Sequence, residues 1–224
     1  MINKKNGRHE NAEEKAYRHI IHLILNGNVQ PGAFLLEEEL AAAMDMSRTP
    51  VNRALSRLVT EGFIDRLPKK GCVVPVPTPE DAESVFAARM VVEEKTAEAA
   101  ARNATDEEIV ELRSVISLED EAVVTFSKES FSNINEALHL GIAKMSRNPY
   151  LERWCRYIYW RSSLYIFYFD RFYAASALEE VPPQYTPVQH AAIIEALERR
   201  DAELAGRRML EHVRYTYLQL FRRA

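Results

Sequence analysis

Three prolines spaced by single residues, Pro75, Pro77 and Pro79, divide this chain of 224 residues. Each fixes its own φ and lacks an N–H, and no glycine relieves them, so the stretch is extended and semi-rigid. Two folding units are expected on either side, residues 11–78 and 79–224, with residues 1–10 as a polar, disordered tail. The charge divides at the same place. Up to Thr78 there are 11 Lys/Arg against 9 Asp/Glu, a balance of +2, whereas the remainder has 18 against 24, or −6. The net charge of −4 alone speaks against a nucleic-acid partner, but a local basic patch on an acidic chain speaks for one.

That patch lies at 46–71, where Arg48, Arg53, Arg57, Arg66, Lys69 and Lys70 face only Glu61 and Asp65. Within it Val51, Ala54, Leu55 and Leu58 fall at i, i+3, i+4 and i+7, one stripe of an α-helix. Ser47 stands at the N-cap position, and Pro50 lies in the first turn, where a missing N–H costs nothing. Turning the stripe inward leaves Arg48, Thr49, Asn52, Arg53, Ser56 and Arg57 outside, with no carboxylate among them. Such a face suits phosphates and base edges, although an ordinary solvated helix face has the same look.

The neighbours of this helix decide between the two. Ala16, Ile20, Leu23 and Ile24 mark a helix ending near Gly27, and 29–32 is a turn. Residues 37–44 form a short second helix with Leu40, Ala41 and Met44 inward, and Asp45-Met46 turns into the third. Beyond it, 63–67 and 72–76 read as strands joined at Pro68-Lys69-Lys70-Gly71. Three helices followed by a hairpin with a basic tip make a winged helix-turn-helix. Its candidate DNA-binding residues are Arg48, Thr49, Asn52, Arg53 and Arg57 on the third helix, and Lys69, Lys70 and Gly71 on the wing.

Residues 24–74 also resemble the DNA-binding domain of the GntR family of bacterial transcription regulators. The likeness runs through Pro31-Gly32, Glu39-Leu40-Ala41, Ser47-Arg48-Thr49-Pro50-Val51, Ala54-Leu55, Leu58, Glu61-Gly62 and Gly71. Asn52-Arg53 stand where the family usually has Arg then Glu, and Asp45 where it often has Gly. Asn is a good adenine reader, so the exchange is expected to change the operator sequence and leave binding intact.

The second unit reads as helix almost throughout, over 79–102, 105–126, 129–145, 150–169, 187–200 and 201–221, with a loop at 171–186 that has room for a further short helix. Six or seven helices give a mainly α chain whose second unit is an all-helical bundle able to enclose a cavity. With only 7 glycines, no apolar run long enough to span a bilayer, and Cys72 and Cys155 in no ligand or disulfide spacing, a reduced cytoplasmic protein is expected. His139, His190 and His212 all fall on helices, and Asn135 precedes His139 by one turn on the same face. Imidazoles converging in a bundle are natural ligands for a divalent transition metal, while each histidine taken singly more often fills a core or surface position.

This half is similar to the FCD ligand-binding domain of the FadR subgroup. The matching pieces are Arg89-x-x-x-Glu93, Leu138-His139 with Ser146-Arg147-Asn148, Gln189-His190-x-x-Ile193-x-x-Ala196-Leu197, and Met209-x-x-His212. In many such domains an Asp and three His hold a metal that in turn holds a carboxylate. The resemblance implies that His139, His190 and His212 are ligands for a metal of the zinc, nickel or manganese class. Asn135 stands at the Asp position, where its amide oxygen coordinates without adding charge, so metal binding is expected to be weaker. Glu136 points about 100° away on an ideal helix and is no substitute. Arg89 and Arg161 are candidates for binding the effector carboxylate, although Arg89 also suits an i,i+4 pair with Glu93 and Arg161 an ordinary salt bridge.

The resemblance implies a ligand-responsive transcription regulator, a repressor and homodimer, with a palindromic double-stranded DNA operator, a small carboxylate effector and no membrane partner. The alternative is a metal-dependent enzyme of a small acid using the three histidines. The sequence offers that reading no clear general base and attaches a DNA-binding module to it, so an enzyme is not expected.

Overall fold

The computed structural model describes residues 11–119, 128–168 and 185–221. The first unit comprises α1 (Ala12–Leu25), β1 (Phe34–Leu35), α2 (Glu37–Ala43), α3 (Arg48–Thr60), β2 (Asp65–Leu67) and β3 (Gly71–Val73). Residues 74–78 carry no regular element. Six helices follow among the described residues: α4 (Pro79–Asn103), α5 (Asp106–Ile116), α6 (Lys128–Met145), α7 (Pro149–Tyr168), α8 (Tyr185–Glu198) and α9 (Ala202–Phe221). The chain is mainly α, with a winged helix-turn-helix ahead of a helical bundle.

Local chemistry sets the helix ends. Asn11 caps α1, its Oδ1 accepting from the Glu14 N–H at 2.8 Å. Asp45 makes the tight turn into α3 at φ 50°, a left-handed conformation Asp tolerates better than most residues. Ser47 occupies the N-cap position of α3 in extended conformation, but its side chain makes no capping bond. Thr78 caps α4, with Pro79 in the first turn. Thr105 and Glu108 form a reciprocal capping box on α5, and Asp201 Oδ1 accepts from the Leu204 N–H at the start of α9.

The wing is smaller than the strand pattern suggests. Phe63 and Ile64 are buried and fold back on α3, with the Phe63 N–H donating to the Leu58 carbonyl at 3.0 Å, so β2 begins only at Asp65. A third strand, β1, joins them. The sheet order is β1-β3-β2, antiparallel, with Phe34 opposite Val73 and Arg66 opposite Cys72. A strand of two residues carries no readable period, which is why the sequence does not announce it.

In the bundle α4 is central, with α9 packed along it and α6 and α7 against its other faces. A Cβ on Gly206 would meet Glu98 Cγ at 2.7 Å, so the glycine lets α9 approach α4 closely. The helix expected over 105–126 ends at Ile116 with Ser117 as its C-cap. The tail at 1–10, residues 120–127 and most of the loop expected at 171–186 lie outside the described residues. Tyr185 and Thr186, the end of that loop, belong to α8.

Helix α7 joins the two units. Trp160 is fully buried, with ring centroids 5.2 Å from Phe63 and 6.5 Å from Tyr17 in edge contacts. Arg161 Nη2 meets Asp65 of β2 at 2.8 Å. Gly62, at φ 78°, lies so close to Tyr157 that a Cβ would fall 2.7 Å from its ring. On α6, Glu136 pairs with Arg18 of α1. A continuous apolar core therefore runs from the wing into the bundle.

Candidate nucleic-acid interface and metal centre

On α3 the apolar stripe is wholly buried: Val51, Ala54 and Leu58 show no exposed surface and Leu55 almost none. Arg48, Thr49, Asn52 and Arg53 are exposed, as are Lys69, Lys70 and Gly71 at the wing tip. Lys69 and Gly71 both take positive φ there, 62° and 97°. Arg66 links wing to helix through Ser56 Oγ at 3.0 Å.

Two features of this face differ from the sequence reading. Arg57 does not stand free. Its guanidinium lies 3.7 Å over the Tyr17 ring, and it donates to Glu14 at 2.6 Å and Glu61 at 3.1 Å. An isolated helix wheel points Arg57 outward, but α1 packs across that side and takes it as the tie between α1 and α3. The face is also not free of carboxylates, because α2 brings Glu37 and Glu38 to it. Asn52 Nδ2 donates to Glu37 Oε1 at 2.5 Å, and Arg48 meets Glu38 at 2.8 Å. Among the described residues Arg53 makes no ion pair, and its guanidinium is exposed.

In the bundle His139 (α6), His190 (α8) and His212 (α9) meet. One ring nitrogen from each lies within 4.8 Å of the others, and all three rings are buried. Each Nδ1 faces an oxygen: His139 that of Glu93, His190 that of Glu119 at 2.8 Å, and His212 that of Gln189 at 3.1 Å. An Nδ1 that donates to an oxygen leaves Nε2 as a bare lone pair. His190 Nε2 and His212 Nε2 then stand 3.3 Å apart, lone pair to lone pair. His139 Nε2 accepts from Arg89 Nη2 at 3.0 Å.

Burial keeps the His139 and His212 rings neutral. Burial pushes His139 down to about 4, against the pull of Glu93 and helped by Arg89. Burial also lowers His212 well below the usual histidine value, and His190 and His139 beside it add to the effect. Burial alone would raise Glu93, but Arg89 and His139 outweigh it and hold the carboxylate at about 2. Glu119 is fully buried, with Oε2 on His190 and Oε1 without a hydrogen-bond partner among the described residues. Neutral imidazoles oriented by carboxylates or an amide oxygen are the donor set that a divalent metal takes.

Asn135, His139, His212, Arg89, Tyr159 and Thr186 line one narrow cavity, with His190 buried beside His212. Asn135 Nδ2 donates to the Phe131 carbonyl at 2.8 Å, which occupies the amino end of its amide. Arg89 lies beneath this cavity, 1% exposed, bonded to Glu93, to Ser162 Oγ at 3.2 Å and to His139. Arg161, the second effector candidate, is elsewhere: it faces the wing through Asp65 and does not line the cavity. Its position on α7 is one residue past Trp160, on the side turned to the first unit. Glu136 likewise turns from the histidines to Arg18. Sequence reading missed Glu119 and Gln189. Gln189 adjoins His190, a signal of sorts, but Glu119 lies 71 residues from its histidine and no spacing links them.

The family model for the FCD domain matches residues 84–215, and that for bacterial regulatory proteins of the gntR family matches residues 12–74. The chain is 32% identical over 143 residues to the Nta operon transcriptional regulator of Aminobacter aminovorans, covering 59% of this chain and 68% of that one. It is 27% identical over 128 residues to the gluconate operon transcriptional repressor of Bacillus licheniformis, covering 57% and 52%. The solved structure of E. coli McbR/YncC superposes with a TM-score of 0.77 at 22% identity, over 95% of this chain and 98% of that one. A winged helix-turn-helix with a basic helix and wing, joined to a helical bundle around three histidines, thus has its place: the chain belongs to the GntR family of bacterial transcription regulators, among those that carry an FCD domain.

Proposed function

We propose that this regulator is a cytoplasmic, homodimeric repressor that binds a palindromic operator through α3 and the wing, and releases it in response to a small carboxylate taken up at a metal centre in the FCD domain. The observation that carries the metal is the three Nδ1 atoms, each facing an oxygen, with His190 Nε2 and His212 Nε2 3.3 Å apart, lone pair to lone pair, and a ring nitrogen of each of the three histidines within 4.8 Å of the others. Such lone pairs repel unless a cation or proton stands among them, and burial disfavours the proton on His139 and His212. His139, His190 and His212 would hold the ion, with the Asn135 amide oxygen as a fourth donor. When bound, it supplies a Lewis-acidic position for a carboxylate oxygen.

Charge supports the same reading. The fully buried charged side chains among the described residues are Arg89, Glu93 and Glu119, one positive and two negative, for a balance of −1. Buried charge calls for a partner. A divalent cation brings the ensemble to +1, and a monocarboxylate returns it to neutral. Arg89 has a part in this. The His139 Nε2 lone pair serves either Arg89 or a metal, not both, so a guanidinium released from His139 has Nη2 to offer a carboxylate. The relative named for a gluconate operon repressor supports both an organic acid and repression.

Helix α7 is the route to the DNA. Tyr159 lines the cavity, its ring centroid 5.4 Å from that of His139, and the next residue is Trp160, locked between Tyr17 and Phe63. A shift of α7 on effector binding moves the first unit with it. Hydrolysis is the poorer account, because Glu93 and Glu119 are engaged with Nδ1 atoms and the relatives are regulators. The test is a mobility-shift assay on DNA upstream of the protein's own gene, with zinc or nickel present and a panel of small carboxylates. Salt-sensitive, sequence-selective binding that one acid releases is expected, with the response lost but DNA binding kept in His190→Ala. No selective binding there or at neighbouring promoters would refute the reading.

A further inference from the structure

We propose that Glu37, on α2, is a positioning residue for operator recognition: it fixes which end of the Asn52 amide faces the DNA. The proposal rests on reading α3 as the helix that enters the major groove. Glu37 is the first residue of α2 and its side chain is about one-third exposed. Its Oε1 accepts from Asn52 Nδ2 at 2.5 Å, while Oε2 stands 3.7 Å from Arg48 Nη2. Arg48 in turn donates to Glu38 Oε1 at 2.8 Å.

An ionised carboxylate accepts and never donates. It therefore admits only the amino end of the Asn52 amide, because a flipped amide would set Oδ1 against the carboxylate oxygen Oε1. With one N–H given to Glu37, the amide keeps one N–H and Oδ1. That is one donor and one acceptor, the complement of adenine N7 and N6 in the major groove. Without such a partner the terminal torsion of Asn is broad and nearly two-fold, and both ends present themselves about equally. The base preference of a residue on α3 is thus set from a different helix. The arrangement has an electrostatic cost, since Glu37 and Glu38 both place negative charge beside DNA.

That cost gives the proposal a double signature. Glu37→Gln keeps the size and removes the charge, but Gln both donates and accepts, so either amide orientation finds a bond. It is expected to tighten binding to unrelated DNA and, at the same time, to relax the preference that depends on Asn52. Glu38→Gln removes the same charge beside Arg48 alone. It is expected to tighten unrelated binding and leave the preference intact.

The experiment is selection from a random double-stranded pool by the full-length protein, followed by titrations on the selected site and its single-base variants. Asn52→Ala identifies the position whose preference depends on Asn52. At that position the wild-type ratio is expected to be about 5- to 150-fold, the range of one bidentate base contact. Glu37→Gln and Glu37→Ala should each cut it about fivefold or more, with no further loss in the Asn52→Ala background. A wild-type ratio retained in both Glu37 variants would overturn the proposal, as would the lack of any position that depends on Asn52. Failure of the wild-type protein to select any sequence would instead overturn the reading of α3 as a recognition helix, and this proposal with it.

Discussion

Arg57 ties α1 to α3 through the Tyr17 ring and the carboxylates of Glu14 and Glu61. On a helix wheel it belongs with Arg48 and Arg53, three cations on one outer face. In the fold it stacks on Tyr17 and bonds Glu14 and Glu61, because α1 covers its side of α3. Arg57→Ala is therefore expected to lower stability by about 1–2 kcal/mol, discounted for its one-third exposure, and to leave the salt slope of DNA binding unchanged. Arg53→Ala is expected to do the reverse, leaving the melting temperature alone and flattening the salt slope by about one phosphate contact. A thermal melt and a salt titration of both variants check the pair, and an Arg57→Ala variant with full stability would contradict the account. Spacing made the stripe Val51, Ala54, Leu55, Leu58 readable, since burial follows period. It left the partners of the outer residues invisible, since those come from another helix.

At the scale of elements, α7 carries the most. The helix over 150–169 was legible, but not its two-sidedness. Tyr159 and Ser163 line the cavity, whereas Trp160 and Arg161 are turned to the first unit. Adjacent residues on a helix point about 100° apart, so one helix can serve two cores, and no one-dimensional pattern says which residue serves which. Trp160→Ala should cost about 3–5 kcal/mol, the range for a buried aromatic, and should split thermal unfolding into two transitions as the units separate. Arg161→Ala, removing a pair in which the arginine is mostly buried and Asp65 is 44% exposed, should cost about 1 kcal/mol and keep a single transition. Calorimetry distinguishes them, and an unchanged single transition in Trp160→Ala would show that α7 does not hold the units together.

Over the whole molecule, the proline-spaced stretch and the shift in charge mark out a basic reader and an acidic bundle. The structure adds what joins them and what lies inside. Three histidines from α6, α8 and α9 converge although 73 residues separate the first from the last, which only the family resemblance led one to expect. The oxygens that orient them, from Glu93, Glu119 and Gln189, were legible in part or not at all, because contacts between helices leave no period in the chain. The central claim is that this centre exists to hold a metal ion. Elemental analysis of full-length protein, purified without chelator or histidine tag and then offered zinc or nickel, tests it most directly. The account predicts about one equivalent per chain, lost in His190→Ala, as three histidine ligands and one amide oxygen require. Less than about a tenth of an equivalent in the wild-type protein, unmoved by added zinc or nickel, would contradict it.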